Sequence, residues 1–348
     1  MERHRLMKTL TLIFLLWLFL GSFHSIAQVV KQDRNPFPTI SSHDIIQEGI
    51  RLIQTEPNHD ESGGSDSLKL LTTWYNQQPS IECARLIETS ITVRFIDGTL
   101  VVLFDPFSQM KEPNRTNQPT KDYWSSTAAT DKTAVILNPA ESMYGHFQCQ
   151  RIISLLMNHD YSIHYVANQA VDLNYVKNNL SATIIYMNTH AGYFDIDGDS
   201  QADAVVIATG ELWTNETEIK YAYEVQNHLI VKGMVGDLEL VAFTPAFIEE
   251  YYAEKRFPDS LVFMATCYAL LDTSMAQEFL DAGAQVYMGW SQNTVFWTNS
   301  RTSVQAFRLL SYGFDVQQVC RLIRSGGFYN WLFHSKLTFA GDGSYRLP

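Results

Sequence analysis

"DSLVFMATCYALLDTSMAQEFLDAGAQVYMGW", residues 259–290, decides the fold class. "DSLVFMAT" holds a short, unbroken apolar run, the pattern of a strand buried on both faces. "SMAQEFLDAG" places its apolar residues at helical spacing and ends on Gly283, a natural helix stop. "AQVYMGW" then returns as a second apolar strand. Strand, helix and strand in this order form one unit of a parallel sheet covered by helices.

The same rhythm runs upstream. "TAVILNP" (133–139), "YSIHYV" (161–166) and "ATIIYMNT" (182–189) read as strands, separated by the amphipathic "GHFQCQRIISLLMNHD" (145–160) and the shorter "VDLNYVKNNL" (171–180). The expected architecture is α/β, three layers with a mostly parallel sheet, over residues 133–348. Residues 28–105 read as a small α+β region. There "SHDIIQEGIRLIQT" is a helix with Ser42 as cap candidate, and "ESGGSDS" is a break. "ITVRFIDGTLVVLF" (91–104) is a hairpin turning at Asp97-Gly98. Residues 106–132 are polar and read as a linker. No repeat of 20–50 residues is visible.

The chain has 348 residues and a formal charge of −12. It shows no basic stripe, which argues against binding nucleic acid. Arg3, Arg5 and Lys8 precede an apolar run, Leu10–Leu20, and "SIA" ends at Ala27. This is a signal peptide's layout over residues 1–27, with cleavage expected before Gln28. The run is short for a membrane span. A secreted, periplasmic or cell-surface location with no membrane attachment after cleavage is expected. Cys83, Cys149, Cys267 and Cys320 allow three complete pairings, or free thiols, one of them functional.

In open α/β sheets chemistry gathers at the carboxyl ends of the strands. His190 follows "IIYMNT", Cys267 follows "LVFMAT", and Trp290 and Ser291 follow "VYMG". A thiol acts as a nucleophile through its thiolate, and an imidazole can take or return the proton. Backbone N–H groups beside Gly192 and Cys267 can hold an oxyanion, and Trp290 can wall a pocket.

These residues carry a resemblance. "IIYMNTHAG" with "SLVFMATCYALLDTSMAQEFLDAGAQVYMGWS" resembles the caspase-like cysteine peptidases of the gingipain, clostripain and CHAT type. The terminal "LTFAGDGSYRL" is similar to the last strand of the gingipain type. The resemblance implies a caspase-like αβα sandwich, a His190/Cys267 dyad, and Gly192, Trp290 and Ser291 around the oxyanion and substrate pocket. Ala191 stands between His190 and Gly192, which shifts the oxyanion donor, and Thr266 stands where the family has alanine. Asp259, Asp272 and Glu211 are candidates for a pocket acid.

"DIDGDSQAD" sets Asp195, Asp197, Asp199 and Asp203 at positions 1, 3, 5 and 9, with Gly198 at the turn. Carboxylates in this rhythm suit Ca2+, a hard cation that takes six to eight oxygens. Position 12 is Val206, so this is no EF-hand. The expected function is an exported, calcium-stabilised cysteine endopeptidase acting on protein or peptide. A non-catalytic calcium-binding surface module of the same fold and a thiol acyltransferase are the alternatives. Residues 28–131 can also serve as a pro-segment.

Overall fold

The computed structural model describes residues 41–55, 65–107, 123–124, 132–194, 204–253, 256–257, 259–324 and 334–348. The expected signal peptide and the four aspartates of the 195–203 segment lie outside them. Among the described residues no helix is long and apolar enough to cross a membrane.

The first helix is Ser42–Gln54. Ser41, not Ser42, caps it: its hydroxyl accepts from the Asp44 N–H at 3.2 Å and donates to the Asp44 carboxylate at 2.7 Å. From Ile46 onward the chain forms one unit. After the helix Ser65–Tyr75 come β1 (Ile81–Ile87), β2 (Ser90–Phe95) and β3 (Leu100–Asp105). The hairpin register pairs Ile91 with Leu103, and Gly98 takes the left-handed turn at φ 87°.

The parallel sheet contains β4 (Tyr123–Trp124), β5 (Thr133–Asn138), β6 (Ser162–Ala167), β7 (Ile184–Asn188), β12 (Leu261–Ala265), β13 (Val286–Trp290) and β14 (Leu337–Gly341). Its order is β14-β13-β12-β7-β5-β6-β4, parallel from β13 to β6 and antiparallel at both edges. The order reverses after β5, and the cleft of such sheets opens at that switch, beyond the carboxyl ends. Alternate residues serve the two faces, which is the period of a strand. Ile184, Tyr186, Phe263, Met288 and Trp290 meet the helices Phe147–Met157, Phe296–Ser311 and Val316–Ile323. Ile185, Met187, Val262, Met264 and Tyr287 face the other core, with the helices Leu173–Asn178, Pro245–Tyr252 and Ser274–Asp281.

That second core also holds a second sheet, which the strand and helix rhythm of the sequence does not announce. β8 (Ala191–Phe194), β9 (Ala204–Leu212), β10 (Ile230–Val235) and β11 (Leu238–Phe243) join β1–β3 in the order β1-β2-β3-β10-β11-β9-β8. All neighbours are antiparallel except β3 and β10. The sheet curls until β8 meets β2 and β3, with the Thr92 hydroxyl donating to the Tyr193 carbonyl at 3.0 Å. Phe104, Phe194, Val206, Val231 and Ala242 fill its inside. Strands of residues 81–105 and of residues 191–243 therefore share one sheet. The chain is α/β, with a mostly parallel sheet covered by helices on one face and by helices and a mainly antiparallel sheet on the other.

Candidate functional site

Ala265 ends β12 and pairs directly with Asn188, which ends β7. Cys267 and His190 each stand two residues beyond that pair. Neighbouring strands run about 4.8 Å apart, so the fold delivers thiol and imidazole to one end of two adjacent parallel strands. All four cysteines are free thiols, and Cys267 is half-buried.

A polar cluster fixes these strand ends. The Asn188 amide donates to Asn138 Oδ1 at 2.8 Å, across the ends of β7 and β5. The Asn299 amide donates to the Ala265 carbonyl at 2.8 Å, and Asn299 Oδ1 accepts from the Trp290 indole at 2.9 Å. Asn138 also donates to the Gly145 carbonyl at 3.0 Å, which anchors the short helix Glu141–Tyr144. Buried amides persist only when bonded, and with the Asn299 amide also donating to Asn188 Oδ1 at 3.4 Å the bonds link the ends of β5, β7, β12 and β13 beneath the site.

The turn after Cys267 is tight. Tyr268 has φ 59°, a left-handed backbone that costs a non-glycine residue about 1–3 kcal/mol. Its N–H donates to the Gln292 carbonyl at 3.2 Å, and its hydroxyl bonds Thr89 at 2.6 Å. Gly289 lets the turn lie against β13, since a Cβ there would stand 2.5 Å from the Ala269 Cβ.

The two reactive groups have separate partners. Cys267 Sγ donates to Asn293 Oδ1 at 2.9 Å and accepts from the Thr294 N–H at 3.4 Å. His190 Nε2 meets the Tyr144 hydroxyl at 3.0 Å, and the Tyr144 ring stacks on Phe296 with centroids 4.3 Å apart. No hydrogen bond joins Cys267 to His190 among the described residues. Burial pushes the thiol up to about 11; the Thr294 N–H works against this, and Asp105 adds to it. Burial pulls the imidazole down to about 4. Near neutral pH both groups are therefore uncharged. Burial, then Asp105 and Cys267, holds the Tyr144 phenol far above its ordinary range, so it stays protonated, and the imidazole tautomer sets which partner donates in its bond to His190.

The remaining sequence candidates have definite places. Gly192 lies within β8, where a Cβ would stand 2.5 Å from the Phe104 ring and 2.6 Å from Ser90 Oγ. Ala208 N–H donates to the His190 carbonyl, and β8 pairs Gly192 with Val206. Hydrogen-bonded pairs alternate along an antiparallel ladder, so the Gly192 N–H belongs to β9. The Ala191 N–H is the one turned away from β9. Trp290 is fully buried under Phe296–Ser311, on the face of the sheet opposite the core that Cys267 packs against. Ser291 is tied to Lys336 by two hydrogen bonds, N–H to carbonyl and N–H to Oγ.

Among the acids, Asp259 precedes β12 and so stands at the end away from Cys267. Glu211 accepts from the Leu173 N–H, Tyr221 and Lys220. Asp272 Oδ1 accepts the Ser274 N–H at 2.8 Å, and its Oδ2 is buried with no partner. The acid that acts on Cys267 and Tyr144 is Asp105, at the end of β3. Asp105, Tyr144, Asn293 and the asparagine cluster carry no sequence signal, because only the assembled strand ends give them a common place.

No group of His, Cys, Asp and Glu suited to a metal ion occurs among the described residues. The 195–203 segment itself is not among them; it connects Phe194 to Ala204, which pair across β8 and β9. No family model matches the sequence, and no characterised protein is significantly similar to it.

Proposed function

We propose that the chain is an exported cysteine endopeptidase with a caspase-like fold, using Cys267 as nucleophile and His190 as acid and base. The observation that carries this reading is the pairing of Ala265 with Asn188, which sets both residues at one level of adjacent parallel strands. The strained Tyr268 beside Cys267 supports it, since such strain concentrates at functional sites.

In the proposed reaction the Cys267 sulfur attacks the peptide carbonyl carbon while the thiol proton passes to neutral His190. The Ala191 N–H and the Cys267 N–H are the candidate donors to the oxyanion. His190 returns the proton to the nitrogen as the C–N bond breaks, releasing the amine and leaving a thioester. Water attacks the thioester, His190 takes its proton, and the acid leaves as Cys267 regains a proton. Tyr144 orients the imidazole through its hydrogen bond.

Asp195, Asp197, Asp199 and Asp203 are the proposed Ca2+ ligands. Their segment joins two paired strands, and β8 begins directly after His190. Calcium there would order β8, the strand that follows the base directly. Chelator is expected to lower both hydrolysis and thermal stability; no change in either overturns the calcium reading.

The test of the enzyme is labelling of the mature protein with peptidyl thiol-reactive electrophiles, with Cys267→Ala and His190→Ala as controls. Fast labelling at Cys267 that depends on His190 is expected. Its absence favours the second reading, a non-catalytic module, for which the separate partners and neutral resting states of Cys267 and His190 speak.

A further inference from the structure

A small cleft opens beside His190. Ala140 and Met143 wall it on one side, Gly210 and Leu212 of β9 on another, and Leu238 and Leu240 of β11 close it. His190 lines the cleft and Cys267 does not. The lining carries no Asp, Glu, Lys or Arg.

Three of its polar side chains are committed elsewhere, and two more, Ser142 and Gln169, are exposed. The Thr189 hydroxyl donates to the Ala208 carbonyl at 2.7 Å and the Thr209 hydroxyl to the Val241 carbonyl at 2.8 Å. Asn168 accepts from the Ser142 N–H at 2.7 Å and donates to Glu141 at 3.0 Å. What remains toward the opening is largely hydrocarbon. A charged group placed there would lose water and gain no oppositely charged side chain from the lining.

The chemistry fixes which part of a substrate arrives here. An imidazole that protonates the departing amine must touch that nitrogen. The residue bonded to it then lies on the side of His190 away from the attacking sulfur. We propose that this cleft is the leaving-group subsite and takes an uncharged, apolar side chain from the first residue after the scissile bond. The proposal rests on the peptidase reading above. It assigns Met143, Leu212, Leu238 and Leu240 as the residues that set the preference.

The test uses a peptide mixture of varied sequence, with cleavage sites mapped by mass spectrometry. It continues with pairs of peptides that differ only in the residue after the bond. Apolar residues there are expected to exceed Asp and Lys in kcat/KM by at least about tenfold, the scale of pocket discrimination. Met143 and Leu212 are half-buried, so Met143→Lys and Leu212→Ala change the cleft, the latter also trimming a contact with the core of the second sheet. Met143→Lys is expected to favour Asp over Lys in the paired peptides, and Leu212→Ala to narrow the apolar advantage, with thermal melts showing each variant folded.

A reactive electrophile that carries no residue beyond the bond separates the two claims. Labelling together with cleavage indifferent to the following residue overturns the subsite alone. Neither labelling nor cleavage overturns the peptidase reading and the subsite with it.

Discussion

Asn299→Ala tests whether the buried amide cluster holds the site together. Asn299 is 5 % exposed and bonds both the Trp290 indole and the Ala265 carbonyl at 2.9 and 2.8 Å. Truncation leaves a buried N–H and a carbonyl short of partners, and each such loss costs about 1–3 kcal/mol. The sum is about 2–6 kcal/mol. For a domain of this size that is a fall in Tm of about 3–10 °C. Urea unfolding of the wild type, Asn299→Ala, Trp290→Phe and the double variant forms a cycle. Trp290→Phe removes the orphaned donor, so the double variant should cost at least about 1 kcal/mol less than the sum of the singles. Ala265 stands two residues before Cys267, so labelling of Cys267 should also slow. A loss below about 0.5 kcal/mol for Asn299→Ala, with additive singles, would refute the idea that these amides brace the strand ends.

Stability should fall at both ends of the pH range. His190 titrates at about 4 in the fold against 6.5 ordinarily, so its contribution is complete above 6.5 and is lost as pH drops through about 4. Cys267 titrates at about 11 against 9.0, so its contribution is complete below 9.0 and is lost as pH rises through about 11. Unfolding free energy measured against pH should lose part of its acid slope in His190→Ala and part of its alkaline slope in Cys267→Ala. Asp105→Asn removes a charge that raises the thiol, so the pH midpoint of Cys267 alkylation should move down; a midpoint that stays or rises contradicts the placement of Asp105. Gly289→Ala drives a methyl toward Ala269 and should cost about 1–3 kcal/mol and slow Cys267 labelling. Unchanged labelling would show that the turn is not held by β13.

The parallel sheet was legible because β5, β7, β12 and β13 are buried on both faces and read as unbroken apolar runs. The helices between them showed through their spacing, and Gly283 ends one of them at φ 102°. The second sheet was hidden for a specific reason. β10 carries Lys232 and Gly233 in mid-strand. The lysine is buried against Glu239 at 3.2 Å, and the glycine makes room for the Phe104 ring. Both look like loop residues until the partner strand is present. Trp290 reads as a pocket wall from its place at a strand's end. The alternation of Val286, Met288 and Trp290 against Tyr287 was the signal that sends it to the helix-covered face. His190 and Cys267 were visible from position alone, whereas Tyr144 and Asp105 come from segments whose nearness no local pattern encodes.

Only Thr189 and His190 separate β7 of one sheet from β8 of the other. The imidazole thus sits on the seam between two sheets of different character, one built from parallel crossovers and the other mainly antiparallel. Neither sheet alone can aim it. A nascent or damaged chain that has formed only one of them carries every reactive atom and no working constellation. The connection acts as an interlock: under the peptidase reading proposed above, Cys267 and His190 can work together only once both sheets have formed.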